Sequence, residues 1–492
     1  MSLMNKSTKE WNKQYIAGQW VEGSGEKQLD NLNPFTGDVI GSWTSSSKDD
    51  IDRAYRSALE KGHEWAALPP GERSKVLRQV TVVMDQRKDE IIELLIQESG
   101  STRVKAELEW KSARRVAEES ASFPYRMKGE ILPSDIPGKE NRIIREAKGV
   151  IGVIGPWNFP LHLCMRSVAP ALALGNGVVI KPASDTPITA GWLIADLFEE
   201  AGLPAGVLNV VAGSGSEIGD DFVSHPIPKV ISFTGSTEVG QGIGRLAGEH
   251  LKESALELGG NNVMVVLDDA EADRAAAAAV FGKFLHQGQI CMALNRIVVD
   301  ESIYDAFLEA FLGYVKKLQA GDPADPKTLV GPLIHKREVD RLLGEVESAK
   351  KQGARVAAGG TAKGSVLEPT VLVDVKPDFD IVQKELFGPV AVIIKASGEE
   401  EALRIANDTK YGLSGSVFTT DLERGYRVAR RIETGMIHVN DQSVNDEAHV
   451  MFGGEKASGL GRFGGDWAID KFSRMRWISI QNPYRDYPLV NG

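Results

Sequence analysis

The chain has 492 residues, 42% hydrophobic and 25% charged, with 57 basic against 68 acidic side chains. That length exceeds one ordinary core and implies two or three domains, while the net charge of -11 argues against non-specific binding to nucleic acid or to an anionic membrane surface. Two cysteines, Cys164 and Cys291, make no disulfide framework and point to a reducing cytoplasm.

In chain order, the first ten residues carry no apolar segment of the kind that opens a signal peptide, so no leader is expected. From 49 to 103, Ile51, Ala54, Ala58, Val76, Leu77, Val80, Val83 and Met84 fall at helical spacing, which predicts two or three amphipathic helices. The stretch 125–145 is polar, holds Pro133 and Pro137, and reads as a protruding hairpin. Short β-branched runs then recur at 151–154, 178–180, 208–211, 230–233 and 263–267. Helix-like stretches at 161–174, 189–201, 216–223 and 237–251 separate them. Strands alternating with helices imply βαβ units and a parallel sheet, and near-continuous apolar strands fit burial on both faces. The alanine run 275–279 sits in a helix expected to open at Asp268 and Asp269. A second series follows, with strands at 297–299, 370–375, 390–394, 416–419 and 436–439 and a long helix at 303–318. No apolar run approaches the roughly 20 residues needed to span a bilayer; the longest, 168–180, is broken by Pro170, Gly175, Asn176 and Gly177.

Open parallel sheets bind ligands at the carboxyl ends of their strands. Three turns lie there. Asn158, in Gly155-Pro156-Trp157-Asn158-Phe159-Pro160, follows a strand and precedes a helix, so its amide can donate to a developing oxyanion. Lys181 ends a strand in Lys181-Pro182-Ala183-Ser184. Phe233-Thr234-Gly235-Ser236-Thr237 is a strand, a glycine turn and a helix N-terminus, an anion site built from backbone amides. Near it, Gly213-Ser214-Gly215-Ser216-Glu217-Ile218-Gly219 approaches the dinucleotide fingerprint, with its last glycine one residue late.

The chemistry centres on a thiol and a carboxylate. Cys291 lies in the glycine-broken run His286-Gln287-Gly288-Gln289-Ile290-Cys291, and Glu257 in Leu256-Glu257-Leu258-Gly259-Gly260-Asn261. The thiol can attack an electrophilic carbon, and the carboxylate can later take a proton from water. Cys164 sits on a core helix and reads as an inert buried cysteine. His286, five residues before Cys291, suggests a rival Cys/His hydrolase, which leaves the phosphate-type turns unexplained.

Five runs carry a resemblance: Gly155 to Pro160, Leu256 to Asn261, Gly288-Gln289-Ile290-Cys291, Glu385-Leu386-Phe387-Gly388-Pro389 and Phe452-Gly453-Gly454-Glu455-Lys456-Ala457-Ser458-Gly459. In that order they resemble the aldehyde dehydrogenase superfamily over nearly the whole chain. The resemblance implies an α/β fold with a Rossmann-type cofactor domain (1–124 and 149–257), a second α/β catalytic domain (258–468) and a small oligomerisation part (125–148 and 469–492). It implies Cys291 as nucleophile, Asn158 as oxyanion donor and Glu257 as base, with NAD or NADP as cofactor and no metal. Lys181 would hold the adenine ribose, Ser236 the diphosphate, and Glu385 and Phe387 the nicotinamide side. Ile154, Trp157, Ser184, Gly215, Phe233, Gly235 and Leu258 complete the cofactor-facing set. The protein would be a homodimer or homotetramer. A non-catalytic, crystallin-like relative need not keep the cysteine and the glutamate; this chain keeps both.

Two positions depart from the family pattern. Ser184 stands where strict NAD enzymes often carry a glutamate, so NADP stays open, and Met451 stands where a proline usually precedes Phe-Gly-Gly. The runs Asn158 to Leu163, His286 to Met292 and Arg462-Phe463-Gly464-Gly465 look most like benzaldehyde and vanillin dehydrogenases. On that likeness His162 and Arg166, four apart on one helix face, would meet an aromatic ring and its oxygen substituents, with Phe159, Ile290 and Met292 as apolar walls. If Arg166 instead binds a distal carboxylate, the substrate is succinic semialdehyde; if it is tied up in an ion pair, an aliphatic aldehyde.

Overall fold

A computed structural model describes residues 11–489. The first ten residues, where no leader is expected, and 490–492 of the C-terminal segment lie outside the described residues. Five parallel strands form the centre of the first sheet, in the order Leu208–Val210, Gly177–Lys181, Val150–Ile154, Val230–Thr234 and Glu253–Glu257. The hairpin Gln14–Ile16 and Gln19–Val21 extends one edge, and Gly459–Leu460 runs antiparallel along the other. Side chains alternate across a strand. Ile151, Val153, Val178 and Ile180 therefore pack with the helix Pro160–Ala173, while Val150 and Val179 pack with Ile51, Ala54, Tyr55 and Ala58 of the helix Lys48–Ala67. Burial on both faces is why these strands read as continuous apolar runs.

The second sheet has seven strands, in the order Arg355–Ala358, Thr370–Val373, Val390–Ala396, Leu294–Asp300, Asn262–Val266, Gly415–Phe418 and His438–Val439, all parallel except the first. Its strands feed two cores in the same way, Val263 and Val265 into one and Met264 and Val266 into the other. The expected hairpin is Glu130–Leu132 with Lys139–Ala147, and Ser473–Gln481 pairs along the whole of the longer strand.

Several expectations need correcting. The run at 263–267 belongs to the second sheet, not to the first series. The strand Glu253–Glu257 went unseen because Glu253-Ser254-Ala255-Leu256-Glu257 has no β-branched residue. The stretch 189–201 opens with a π turn, Ile188–Trp192, whose first amides, of Ile188 and Thr189, donate to the buried Glu98 carboxylate. The alanine-rich helix starts at Ala272, and Asp269 instead accepts hydrogen bonds from the side chains of Thr419 and Thr420. Three helices fill 48–99, as spacing predicted, but a fourth, Arg103–Ser120, was hidden by its charge.

Parallel register lines up what matters. Ile154 sits opposite Lys181 and Phe233, and Thr234 opposite Glu257, so the candidate residues of four strands reach one edge of the sheet together.

Candidate active site

Cys291 follows a loop whose backbone is held at many points. His286 and Gln287 adopt left-handed φ values of 49° and 56°, a cost that surrounding contacts must sustain. Gln287 donates to the carbonyls of Gly100 (3.1 Å) and Pro332 (2.8 Å), Gln289 Oε1 accepts from the Ile334 amide (3.0 Å), and Ser443 donates to the Met292 carbonyl (2.6 Å). Asn262 Nδ2 fixes the Cys291 carbonyl at 2.7 Å. The two glycines of the Glu257 motif are explained by crowding. A Cβ on Gly260 would stand 2.3 Å from the Cys291 carbonyl oxygen, and one on Gly259 would stand 2.2 Å from Glu385 Oε2. That motif can approach the nucleophile's backbone only without side chains.

Cys291 opens into a cavity of about 260 Å³. Asn158, Phe159, His162, Ile290 and Met292 line it with the thiol, together with Phe281, Leu285, Val444, Phe452 and Asp446. Asn158 Nδ2 donates to the Gln289 carbonyl at 2.9 Å, which aims the amide and leaves its second hydrogen uncommitted. Burial pushes the Cys291 thiol up to about 12; Arg166 opposes that, and the carboxylates of Glu257, Glu385 and Asp446 add to it.

Glu257 and Arg166 do not line this cavity. Glu257 ends its strand, is 2% exposed, and neither carboxylate oxygen has a hydrogen-bond partner. A Cβ on Gly453 would sit 3.2 Å from its Oε1, so the Phe452-Gly453-Gly454 turn passes directly over the carboxylate. Burial raises Glu257 to about 7, with Arg166 opposing and Asp446 adding. Arg166, 3% exposed, is stacked between Phe452 (4.0 Å) and Phe463 (5.0 Å) and donates to Asp446 Oδ2 at 3.3 Å. It pairs with Asp446 and does not line the cavity, and its Nε and Nη2 are buried without a partner.

The strand-end group does not line that cavity. Lys181 is 4% exposed, and its ammonium has only a 3.4 Å contact with the Pro182 carbonyl; burial lowers it to about 8. A buried cation so poorly partnered fits a polar ligand. Ser184 donates to the Gly213 carbonyl at 3.4 Å, and Gly215 has open space where a side chain would stand. Ser236 caps the helix Thr237–Glu249, and the Gly235 amide donates to the Glu257 carbonyl at 3.0 Å. Ile154 packs against Phe233 and Leu258. Glu385 Oε1 accepts from the Gly260 amide at 3.0 Å, and burial raises it to about 7. Phe387, at φ 50°, meets Trp157 edge to face at 5.4 Å. These residues fit the ribose and diphosphate of a dinucleotide: a hydrogen-bonding cation, a helix N-terminus and a side-chain-free approach.

His286 is fully buried and packs edge to face on Phe159 at 5.6 Å. Burial holds it far below its ordinary value, so it is neutral. Carboxylates and Arg166 surround the thiol electrostatically, not a histidine.

Residue patterns missed two supports of the cavity. Asp446 accepts from His162 Nε2 at 2.8 Å, in a loop with no motif. Lys105 and Glu109 form a fully buried pair at 2.5 Å; Glu109 accepts from the amides of Leu161 and His162, and Lys105 lies 4.2 Å over the Phe159 ring. Their four-residue spacing beside Ala106 and Ala113 was the available signal.

Residues 20–478 match the model of the aldehyde dehydrogenase family. The chain belongs to the aldehyde dehydrogenase family. It is 51% identical to a benzaldehyde dehydrogenase of Bacillus subtilis, over 97% of this chain and 99% of that one. It is 53% identical to a vanillin dehydrogenase of Corynebacterium glutamicum, over 95% and 97%. The crystal structure of an NAD-dependent benzaldehyde dehydrogenase from Corynebacterium glutamicum superimposes with a TM-score of 0.89 at 49% identity, covering 96% and 97%. Membership makes this protein an aldehyde dehydrogenase working with NAD or NADP, and the hydrolase reading falls away. Among the described residues no helix is long and apolar enough to cross a membrane.

Proposed function

We propose that this enzyme oxidises aromatic aldehydes of the benzaldehyde and vanillin type to carboxylic acids. The observation that carries the reading is the thiol of Cys291 opening into a cavity walled by Phe159, Phe281, Leu285, Ile290, Met292 and Phe452, with Asn158 beside it. A flat apolar ring fits such walls, and two relatives named for benzaldehyde and vanillin share half of the sequence.

Cys291 gives up its thiol proton to water in the cavity, Sγ attacks the carbonyl carbon, and the resulting oxyanion accepts a hydrogen bond from the free Asn158 N–H. A bound nicotinamide cofactor would supply the hydride acceptor, and Lys181, Ser184, Ser236 and Glu385 would hold it. Loss of hydride from the thiohemiacetal leaves a thioester on Cys291. Glu257 takes a proton from water, the hydroxide attacks the thioester, and the acid departs as the thiol is restored. Asn158→Ala is expected to lower kcat by roughly a hundred- to a thousand-fold, the scale for one oxyanion donor, with little change in cofactor Kd; a fall of less than tenfold removes Asn158 from this role.

Succinic semialdehyde loses ground, because Arg166 lies behind Phe452 while the Asp446 carboxylate faces the cavity. The expected order of kcat/KM places benzaldehyde or vanillin at least about tenfold above hexanal and succinic semialdehyde, with each cofactor tried. A win for either of the last two overturns the aromatic reading.

The same reading divides the chain into cofactor-binding (1–124 and 149–257), catalytic (258–468) and oligomerisation (125–148 and 469–492) parts. The edge strand Ser473–Gln481 supports the last: Met475, Trp477, Ile478 and Ile480 are exposed on it. An apolar sheet edge of this kind invites pairing with a second copy. Trp477→Asp with Ile480→Asp is expected to shift a dimer or tetramer towards monomer in light scattering; a wild-type monomer sinks the proposal. A cytoplasmic location accords with two free cysteines.

A further inference from the structure

We propose that Asp446 is a specificity-determining residue, an acceptor that reads a neutral hydroxyl on the substrate ring and repels an anionic substituent. The inference rests on the aromatic-aldehyde reading above.

Asp446 shares the cavity with Cys291. Both of its donors, His162 Nε2 at 2.8 Å and Arg166 Nη1 at 3.3 Å, reach the same oxygen, Oδ2. Oδ1 receives no hydrogen bond from any described residue. A half-satisfied carboxylate in a confined site gains from another donor.

The amides of the neighbouring loop do not supply one. Gln442 Nε2 donates to the Val444 carbonyl at 3.1 Å and to Asn445 Oδ1 at 3.3 Å. Asn445 Nδ2 donates to the Gln442 carbonyl at 2.9 Å and to Asp441 at 3.1 Å. Both amide donors are thus spent within the loop. His162 gives its Nε2 hydrogen to Asp446 Oδ2, and its Nδ1 is buried and unpartnered, turned to no group of the cavity. Arg166 stacks on Phe452 and Phe463 outside the cavity lining, and its Nε and Nη2 are buried without a partner and do not reach Oδ1. Asp446 Oδ1 therefore stands at the cavity as an acceptor without a protein donor. A ligand group placed there must donate a hydrogen, which a phenol does and a carboxylate does not.

The test is a ratio of kcat/KM values on one preparation, so that any loss of folded enzyme cancels. Each of the 2-, 3- and 4-hydroxybenzaldehydes and 3- and 4-carboxybenzaldehyde is compared with benzaldehyde at pH 7. In Asp446→Leu the hydroxyl ratio of the best isomer is expected to fall about tenfold, the scale of a lost hydrogen bond to a charged group. In Asp446→Asn, which keeps an acceptor for His162 and removes the charge, the carboxyl ratio is expected to rise about tenfold. A change of less than threefold in either ratio overturns the assignment. The aromatic reading fails separately, if the unaltered enzyme prefers hexanal to benzaldehyde.

Discussion

Cys291→Ala is expected to lose turnover by a factor on the order of 10⁶, the scale for removing a covalent nucleophile, while the Kd for NAD or NADP changes little. The separation follows from the layout: the thiol opens into a cavity lined by Asn158, Phe159 and Asp446, whereas Lys181, Ser184 and Ser236 belong to the strand ends and turns of the first sheet. Titration of cofactor fluorescence in the variant reads the second half. Cys164→Ala is the control. Its thiol is fully buried and burial pushes it far above the ordinary cysteine range, so it never ionises at working pH. That variant is expected to keep kcat within about twofold, with at most the modest loss of stability that follows from a small core truncation. If the dead variant is Cys164→Ala and Cys291→Ala survives, the nucleophile is wrongly assigned.

Glu257→Gln is expected to give a burst of cofactor reduction of one equivalent per active site, followed by turnover slowed by roughly 10²–10⁴-fold, the range for loss of a general base. The thioester still forms, because Cys291 and Asn158 are intact; its hydrolysis stalls. The pH dependence carries a sign. Burial raises Glu257 to about 7, so below that value the carboxyl is protonated and cannot accept a proton from water, and above it the base is present. Hydrolysis of the thioester in the native enzyme is therefore expected to rise with pH through about 7, and in the glutamine variant that rise disappears. Stopped-flow absorbance at several pH values measures both. A variant without a burst that still turns over at the native rate removes Glu257 from the mechanism.

The chemistry was legible in the residues because it is written locally. Gly259 and Gly260 beside Glu257 mark a backbone that must pass close to something, and the structure names it: the Cys291 carbonyl and the Glu385 carboxylate. The strands at 150–154 and 177–181 were legible because burial on both faces leaves few alternatives to apolar β-branched residues. The strand Glu253–Glu257 was not, since its position between Val230–Thr234 and Gly459–Leu460 is fixed by pairing and not by its own propensity.

Sequence by itself determined the class of the fold, because turn chemistry and strand periodicity are short-range properties of the chain, and its motifs carried the resemblance to the family from which the roles of Cys291, Asn158 and Glu257 are proposed. Only the tertiary structure decided what surrounds them. His162 and Arg166 share a helix face at four-residue spacing, yet Phe452 and Phe463, nearly 300 positions later, enclose Arg166 and leave His162 on the cavity wall. Asp446 carries no local signal and becomes the polar end of the site only because its loop folds back onto the helix Pro160–Ala173. A side chain's ionisable group is set by its residue type, but its partner and its dielectric surroundings are set by segments distant in the chain, and those decide whether it carries a charge and whether that charge binds a ligand or supports a wall.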